Sequence, residues 1–391
     1  MIPNILQKKR FLGLAVLAFI MWRLYRLRNT KLEVRRSRTP NSVASRVFQL
    51  FEIKESFKNG YVDSFLMRWG GEYRGSVSTV LHYAARKIKP VSVIYERELI
   101  PLPDGGTIAL DWAYQRPKTD EQPKPTIFLH HGLCGNSDSH YITHLIPLLD
   151  ARGYRAVVMI ARGCGGLKLT TPEGFTASRT SDMRHAVKLV RSQPFVSEMY
   201  GVGFSLGAVL MLKYLGEEGD KTPLQGAVAI SPSFDFAKTP PHFELWSRLR
   251  LVKGLIEWAK NHEEVLSKHP QIRWDEVMNA ENVRKFDAAA VVGPYGYKDV
   301  DHYYEDSSPR YKTGGITVPT LSISAEDDPV CCATSVPSHG HDEIGPGLVA
   351  CVTNAGGHVS FPEGPWGTEA WTDRVVLDWI QSCREASGLQ E

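Results

Sequence analysis

The chain has 391 residues, of which 42% are hydrophobic and 23% are charged, as expected for one large globular domain or two small ones. The formal net charge of +3 reflects the N-terminus, because residues 1–38 hold ten basic residues and a single Glu. The remainder is mildly acidic, which argues against a nucleic-acid-binding body. The six cysteines show no C-x-x-C pair or disulfide-framework spacing and no N-glycosylation sequon occurs, which indicates a reducing, cytosol-facing compartment.

A solid apolar block at residues 11–22 is flanked by basic residues, three before it and seven after it up to Arg38. The block is shorter than the about 20 residues that span a bilayer, but flanking arginines and the Trp22/Tyr25 pair can extend its insertion. A cleaved signal peptide and a mitochondrial presequence are alternatives, although the first lacks a convincing cleavage site and the second does not fit the solid apolar block. We expect residues 1–38 to form a short membrane anchor.

The charge asymmetry around this block predicts an orientation. The heavier basic flank follows the block, so the positive-inside rule places the body of the protein in the cytosol. The expected location is therefore the cytosolic side of the endoplasmic reticulum, a lipid droplet or the mitochondrial outer membrane.

Residues 39–90 contain two helical stretches, 47–57 and 77–88, which we expect to form a packing extension without chemistry. From residue 91 to residue 391, short apolar strands alternate with amphipathic helices, which predicts one α/β domain with a mostly parallel sheet. A hairpin over 95–114 opens this domain. The strands that follow are predicted at 126–129, 156–160, 199–202, 226–230, 320–324 and 348–352, and the helices at 141–151, 181–192, 208–214 and 368–382.

Residues 240–312 interrupt this alternation with an aromatic-rich segment. Leu245, Leu249, Val252 and Ile256 fall on one face of a helix. An insertion between two strands of such a sheet is placed to cover an active site, so we predict a helical cap. A helix that only packs on the sheet is the alternative.

The segment Gly203-Phe204-Ser205-Leu206-Gly207 lies between a predicted strand and a predicted helix. Glycines two residues before and after the serine let the strand and the helix approach each other and leave the hydroxyl exposed. A serine in such a turn attacks carbonyl groups once a base removes its proton. The motif alone arises often by chance, so its meaning depends on the rest of the chain.

An acid and a histidine follow two later strands, in the chain order Ser, acid, His of an α/β-hydrolase triad. All three would lie at the carboxyl ends of strands, where open α/β sheets place their sites. Of the two adjacent acids we predict Asp328, directly before Pro329, and keep Asp327 as the alternative. His358 would accept the Ser205 proton and return it to the leaving group.

The segment His130-His131-Gly132-Leu133 follows the first parallel strand, where an oxyanion hole would form. We predict that the backbone N–H groups of Leu133 and Leu206 are its donors. Adjacent histidines point in opposite directions at a strand end, and no carboxylate lies at ligand spacing. The sequence therefore predicts no metal site there and no organic cofactor.

Further segments share a pattern with a known family: Arg162-Gly163-Cys164-Gly165-Gly166, Arg284-Lys285-Phe286-Asp287, Tyr303-Tyr304 with Ser308-Pro309, Val318-Pro319-Thr320, Asp327-Asp328-Pro329 and Gly357-His358. With the serine motif and His131-Gly132-Leu133, they resemble the α/β-hydrolase-4 family over about residues 75–385. This family includes mammalian abhydrolase-domain proteins 1 and 3, plant embryogenesis-associated EMB-like proteins and yeast medium-chain ethyl ester synthase/esterases. Ala161 departs from the pattern, since a polar residue is expected there.

The resemblance implies an α/β-hydrolase fold and a serine hydrolase of carboxylic esters, acting at a membrane surface through an N-terminal anchor. Its substrates would be esters of medium- or long-chain acyl groups, phospholipids included, and it would need no metal or organic cofactor. Acyl transfer to an alcohol by the same triad is an alternative. A non-enzymatic scaffold is a second alternative, which the presence of Ser205, Asp328 and His358 disfavours.

Overall fold

The structure, a computed structural model, is built around a nine-stranded sheet formed by the residues that it describes. These are residues 13–16, 18, 31–39, 42–61, 64, 73–239, 244–364 and 366–389. The strands are β1 (Leu32–Arg36), β2 (Tyr95–Pro101), β3 (Thr107–Ala113), β4 (Lys124–His130), β5 (Arg155–Ile160), β6 (Val196–Phe204), β7 (Ala227–Ile230), β8 (Thr320–Ala325) and β9 (Leu348–Thr353).

The sheet order is β1-β9-β8-β7-β6-β4-β5-β3-β2. The six strands from β4 to β9 are parallel to their neighbours in this group. Antiparallel pairing joins β1 to β9 and joins β2 and β3 to the opposite edge at β5. The predicted mostly parallel α/β sheet is thus confirmed.

Helices cover both faces of the sheet. They are α1 (Val43–Phe51), α2 (Glu55–Lys58), α3 (Arg74–Ile88), α4 (His140–Asp150), α5 (Ser181–Arg191), α6 (Leu206–Glu218), α7 (Leu245–Asn261), α8 (Glu263–Leu266), α9 (Trp274–Met278), α10 (Val283–Ala290), α11 (Val300–Ser307) and α12 (Trp371–Ala386).

The two faces of the sheet carry separate hydrophobic cores because side chains alternate along a strand. In β4, Ile127 and Leu129 pack with α1, α4 and α12, whereas Phe128 packs with α5 and α6. The continuous apolar runs of the central strands follow from this arrangement, since both of their faces are covered.

Helices α7 to α11 form the insertion between β7 and β8. Residues from α7, α8, α9 and α10 make a hydrophobic cluster of their own, which includes Val252, Leu255, Ala259 and Phe286. The helical segment predicted over 240–312 is therefore present, although residues 240–243 lie outside the described part of the chain. We call α7 to α11 the cap.

The edge strand β1 comes from a segment that the sequence analysis assigns to the membrane anchor. Its residues pair with β9 from Leu32 opposite Thr353 to Arg36 opposite Val349. Leu32 and Val34 pack against the core on one face of the sheet. Most of the apolar block at 11–22 lies outside the described residues, and none of the helices that are described is long and apolar enough to cross a bilayer.

Helix α3 packs closely against the loops that follow β8 and β9. A Cβ atom at Gly75 would lie 1.5 Å from the carbonyl oxygen of Asp327. One turn further, Thr79 Oγ1 accepts a hydrogen bond of 2.8 Å from the backbone N–H of His358. The small residues Gly75, Ser76 and Ser78 are buried and permit this approach. The segment 39–90, predicted to be a packing extension without chemistry, thus packs against the loops of the candidate site.

Replacing Gly75 with Ala is expected to lower the melting temperature, because the added methyl group must push α3 away from the Asp327 loop. Gly254→Ala is the matched control in another helix, since nothing lies within 4 Å of a Cβ at that position. Ala is favoured over Gly in helices by about 1 kcal/mol, so the control should melt at the same temperature or higher. Equal melting temperatures for the two variants would contradict the close packing of α3.

Candidate active site

Ser205 occupies a strained turn between β6 and α6, with φ of 52° and ψ of −116°. A positive φ is uncommon for a residue other than glycine and marks a conformation that the surrounding structure must enforce. The two flanking glycines are needed for packing. A Cβ at Gly203 would lie 2.5 Å from Gly207 O, and one at Gly207 would lie 2.4 Å from His130 O. The turn predicted from the motif is therefore present.

The imidazole of His358 bridges the serine and a carboxylate. Its Nε2 lies 2.9 Å from Ser205 Oγ, and its Nδ1 lies 2.9 Å from Asp328 Oδ2. A carboxylate can only accept, so Nδ1–H donates to Asp328 and Nε2 is left to accept the serine O–H. This is the arrangement in which a histidine can take up the proton of an attacking serine.

Of the two adjacent acids, Asp328 is the one that contacts the histidine. It is buried, and its second oxygen, Oδ1, accepts hydrogen bonds from the N–H groups of Val330 and Cys331 at 2.8 and 2.9 Å. Asp327 Oδ1 instead accepts the N–H of Gly357 at 2.9 Å, and Oδ2 lies 3.8 Å from the guanidinium of Arg74. Asp327 thus ties together the loops that carry Asp328 and His358.

Neighbouring residues hold the histidine loop in place. Gly357 has φ of +68°, which turns the chain just before His358. The N–H of Val359, the residue after the histidine, donates to Ser231 Oγ at 3.0 Å. Together with Thr79, this serine fixes the backbone on both sides of the imidazole. The sequence analysis did not identify these two hydroxyl residues, because neither belongs to a motif.

The loop after β4 lies against Ser205, as the oxyanion-hole prediction requires. A Cβ at Gly132 would be 3.1 Å from Ser205 Cβ. Leu133 and Leu206 both line the pocket that contains Ser205. Leu206 is the first residue of α6, so its N–H has no acceptor within the helix, and the described part of the chain offers no acceptor for the Leu133 N–H.

The tandem histidines anchor this loop from inside the protein. His131 Nδ1–H donates to Gly132 O at 2.7 Å, and Nε2 accepts the N–H of Ala161 at 3.2 Å. Burial lowers the pKa of His131 to about 4, so the ring is neutral at pH 7. The bond to Gly132 O orients the peptide that carries the Leu133 N–H. His130 is buried and stacks on Phe175 with ring centroids 5.3 Å apart.

An apolar pocket opens beside Ser205. One wall comes from the loops around the serine and the other from the cap, through Leu251, Leu255, Trp258 and Phe286. The cap therefore forms part of the pocket and does more than pack on the sheet. Such a pocket accepts an apolar group whose reacting end lies near Ser205.

One carboxyl group stands in this apolar wall. Asp287, on α10, lines the pocket and is 8% exposed. Its Oδ2 accepts a hydrogen bond of 3.0 Å from the hydroxyl of Tyr304. Burial raises the pKa of Asp287 to about 7, against the opposing effect of that hydrogen bond. The sequence analysis noted Asp287 only as part of a family pattern and assigned it no role.

Cys331 also borders the candidate site. Its sulfur, Asp328 and His358 place potential ligand atoms within 4.8 Å of one another. The Cys331 thiol donates to Ser231 O at 3.2 Å, and burial raises its pKa well above the ordinary value. The carboxylate and the imidazole are already hydrogen bonded to each other. The thiol thus packs beside the Asp328–His358 pair.

The alpha/beta hydrolase fold family matches residues 125–365. Phospholipase ABHD3 of Mus musculus is 33% identical over 329 residues, covering 81% of this chain and 78% of the mouse protein. Embryogenesis-associated protein EMB8 of Picea glauca is 31% identical, covering 73% of this chain and 65% of that protein. Monoacylglycerol lipase of Saccharomyces cerevisiae is 28% identical, covering 75% of this chain and 67% of the yeast protein. The chain therefore belongs to the α/β-hydrolase fold family.

Proposed function

We propose that this protein is a serine hydrolase of carboxylic esters, with Ser205 as nucleophile, His358 as general base and acid, and Asp328 as the group that orients the histidine. The observation that carries the proposal is the His358 imidazole, which lies 2.9 Å from both the serine oxygen and the Asp328 carboxylate. The names of its relatives, a phospholipase and a monoacylglycerol lipase, support ester hydrolysis.

In the first half of the reaction, Ser205 Oγ attacks the ester carbonyl carbon while His358 Nε2 takes up the hydroxyl proton. The imidazolium that forms is stabilised by Asp328, which stays ionised. Negative charge develops on the carbonyl oxygen, where the N–H groups of Leu133 and Leu206 are proposed to donate to it. Collapse of the tetrahedral intermediate breaks the bond to the alcohol, which receives the proton from His358 and leaves an acyl-serine.

In the second half, a water molecule replaces the alcohol. His358 removes a proton from the water, which attacks the acyl-serine carbonyl, and the proton returns to Ser205 Oγ as the fatty acid is released. An alcohol that enters in place of water would form a new ester through the same steps. Hydrolysis therefore requires that water reach the acyl-serine.

The character of the pocket supports substrates with medium- or long-chain acyl groups. Its largely aliphatic and aromatic wall suits a hydrocarbon chain. Burial of each CH₂ group in such a wall contributes about 0.8 kcal/mol to binding. Phospholipids fall within this substrate class, and the name of the mouse relative supports their inclusion.

We further propose that residues 1–30 attach the enzyme to a membrane with its body on the cytosolic side. The apolar block at 11–22 supplies a short insertion, and the flanking basic residues attract anionic lipid by about 1 kcal/mol each near the surface. Two such signals together give stable attachment, whereas either alone is marginal. The proposed anchor ends before Lys31 because β1 begins at Leu32.

Ser205→Ala is expected to abolish labelling by a fluorophosphonate probe and to lower kcat for 4-nitrophenyl octanoate by roughly 10⁵-fold or more, since only binding and oxyanion stabilisation remain. Ser233→Ala is the matched control, because Ser233 lines the same pocket and its hydroxyl bonds to Thr239. The control should be labelled at Ser205. Labelling or full turnover of the Ser205 variant would refute the assignment.

Removal of residues 1–30 is expected to release the protein from sedimented membranes without loss of activity on a soluble short-chain ester. A second truncation, which starts at residue 39, removes β1 and should lower the melting temperature as well. Protease added outside intact microsomes should digest the full-length body. Membrane association of the first truncation at the full-length level would contradict the proposed anchor, and complete protection of the body would contradict the orientation.

A further inference from the structure

Asp287 supplies a carboxyl group to the wall of the pocket. The O–H and N–H groups of the polar neighbours on that wall are hydrogen bonded within the protein, namely those of Thr176, Ser233, Thr239, Trp258, Tyr295 and Tyr303. Asp287 uses Oδ2 to accept from Tyr304, while the described part of the chain supplies no donor to Oδ1. The pocket wall therefore contains a carboxyl oxygen, Asp287 Oδ1, to which the described part of the chain donates no hydrogen bond.

The Oδ1 atom of Asp287 disfavours the binding of a purely hydrocarbon ligand. When an alkyl chain displaces water from a carboxyl oxygen, the oxygen loses its hydrogen bonds and gains none. A substrate that carries a donor at this point restores the bond. A site that hydrogen bonds to a donor of its substrate therefore discriminates strongly against an analogue without that donor. This discrimination is stronger than that of an apolar pocket between two ligands that differ by one methylene group.

We propose that Asp287 is a specificity-determining residue that receives a hydroxyl group of the substrate, so that the pocket selects hydroxyl-bearing esters over plain hydrocarbon ones. The inference rests on the proposed ester hydrolase function and concerns the same pocket. The hydroxyl lies either on the acyl chain or on the alcohol part of the ester, as in a glycerol monoester. Both sources present the same O–H donor to the carboxyl group.

A hydroxyl fits this carboxyl group better than a cation does. With a pKa raised to about 7 by burial, Asp287 is present in both protonation states near neutral pH. A hydroxyl can donate to the ionised form and accept from the protonated form, whereas a cation pairs only with the ionised form. The hydroxyl of Tyr304 donates to Asp287, the phenol of Tyr303 interacts electrostatically with the Asp287 carboxyl group, and the guanidinium of Arg284 lies over the Tyr304 ring.

The test compares matched esters on the full-length enzyme. The acyl arm uses 4-nitrophenyl dodecanoate and a series of its monohydroxylated analogues, and the alcohol arm uses 1-octanoylglycerol and propyl octanoate. In one arm the wild type should prefer the hydroxylated ester by roughly tenfold or more in kcat/KM, the equivalent of one hydrogen bond. Asp287→Leu should reduce that ratio to about one. Asp275→Leu, which removes an exposed acid of the cap, is the matched control and should keep the ratio.

Asp287→Asn keeps an acceptor oxygen but removes the ionisable group. It therefore distinguishes an effect on substrate selectivity from an effect on the stability of the fold. The raised pKa means that the folded state holds the Asp287 proton more tightly than the unfolded state, so stability is lost as pH rises from about 4 to about 7. Asp287→Asn should therefore raise the melting temperature more at pH 8 than at pH 4. It should also retain a preference for the hydroxylated ester that Asp287→Leu lacks.

Several outcomes would overturn the inference. These are a wild type with no preference in either arm, an Asp287→Leu variant that keeps the wild-type ratio, and a preference for octanoylcholine over both octanoates that Asp287→Leu removes. The last result would show that Asp287 binds a cationic group of the substrate in place of a hydroxyl group. Failure of the underlying function has a different signature, because the wild type would then hydrolyse none of the esters.

Discussion

The shared imidazole of His358 is the interaction on which the rest of the site depends. Its two hydrogen bonds of 2.9 Å join residues from three separate loops, those that follow β6, β8 and β9. The parallel sheet brings the carboxyl ends of these strands to one edge, so that residues 153 and 30 positions apart in sequence meet. A histidine that hydrogen bonds to two groups at once tolerates little movement of those groups. Further hydrogen bonds hold each of the loops in place.

The supporting bonds come from parts of the chain that carry no recognisable motif. Thr79 on α3 and Ser231 after β7 hold the backbone on either side of His358. Asp327 ties the acid loop to Gly357, and the close approach of α3 at Gly75 presses on the same loop. Helix α3 thus belongs to the scaffold of the active site.

The cap supplies the second feature of the site, a largely apolar pocket wall that carries the carboxyl group of Asp287. An apolar wall lets an acyl chain bind by burial alone, with little discrimination between chains of similar length. A carboxyl group in that wall lowers stability at neutral pH, because its charged form is buried. Groups that reduce stability in a pocket are often retained for binding or catalysis. We interpret Asp287 as a group that is retained for substrate binding.

The sequence predicted those features that depend on local pattern. The glycines around Ser205 define the turn, alternating strands and helices define the sheet, and the order of Ser205, Asp328 and His358 matches an α/β hydrolase. Features that depend on tertiary contact were missed or misassigned. The strand β1 looked like part of a basic anchor segment, because five residues with three arginines or glutamates show only a weak strand pattern. Asp287 could have been noticed as an acid among apolar residues of a cap helix, but its burial and its open oxygen are visible only in three dimensions.

The central claim is that Asp328, through His358, activates Ser205. It is tested most directly by kcat for a soluble ester in Asp328→Asn and in Asp327→Asn, measured side by side with melting temperatures. The account predicts a loss of roughly 10⁴-fold for Asp328→Asn, because the amide favours the wrong tautomer of the histidine. Asp327→Asn should lose far less, since Asp327 bonds to the backbone of Gly357 and not to the imidazole. A larger loss for Asp327→Asn, or near-normal turnover for Asp328→Asn, would contradict the account.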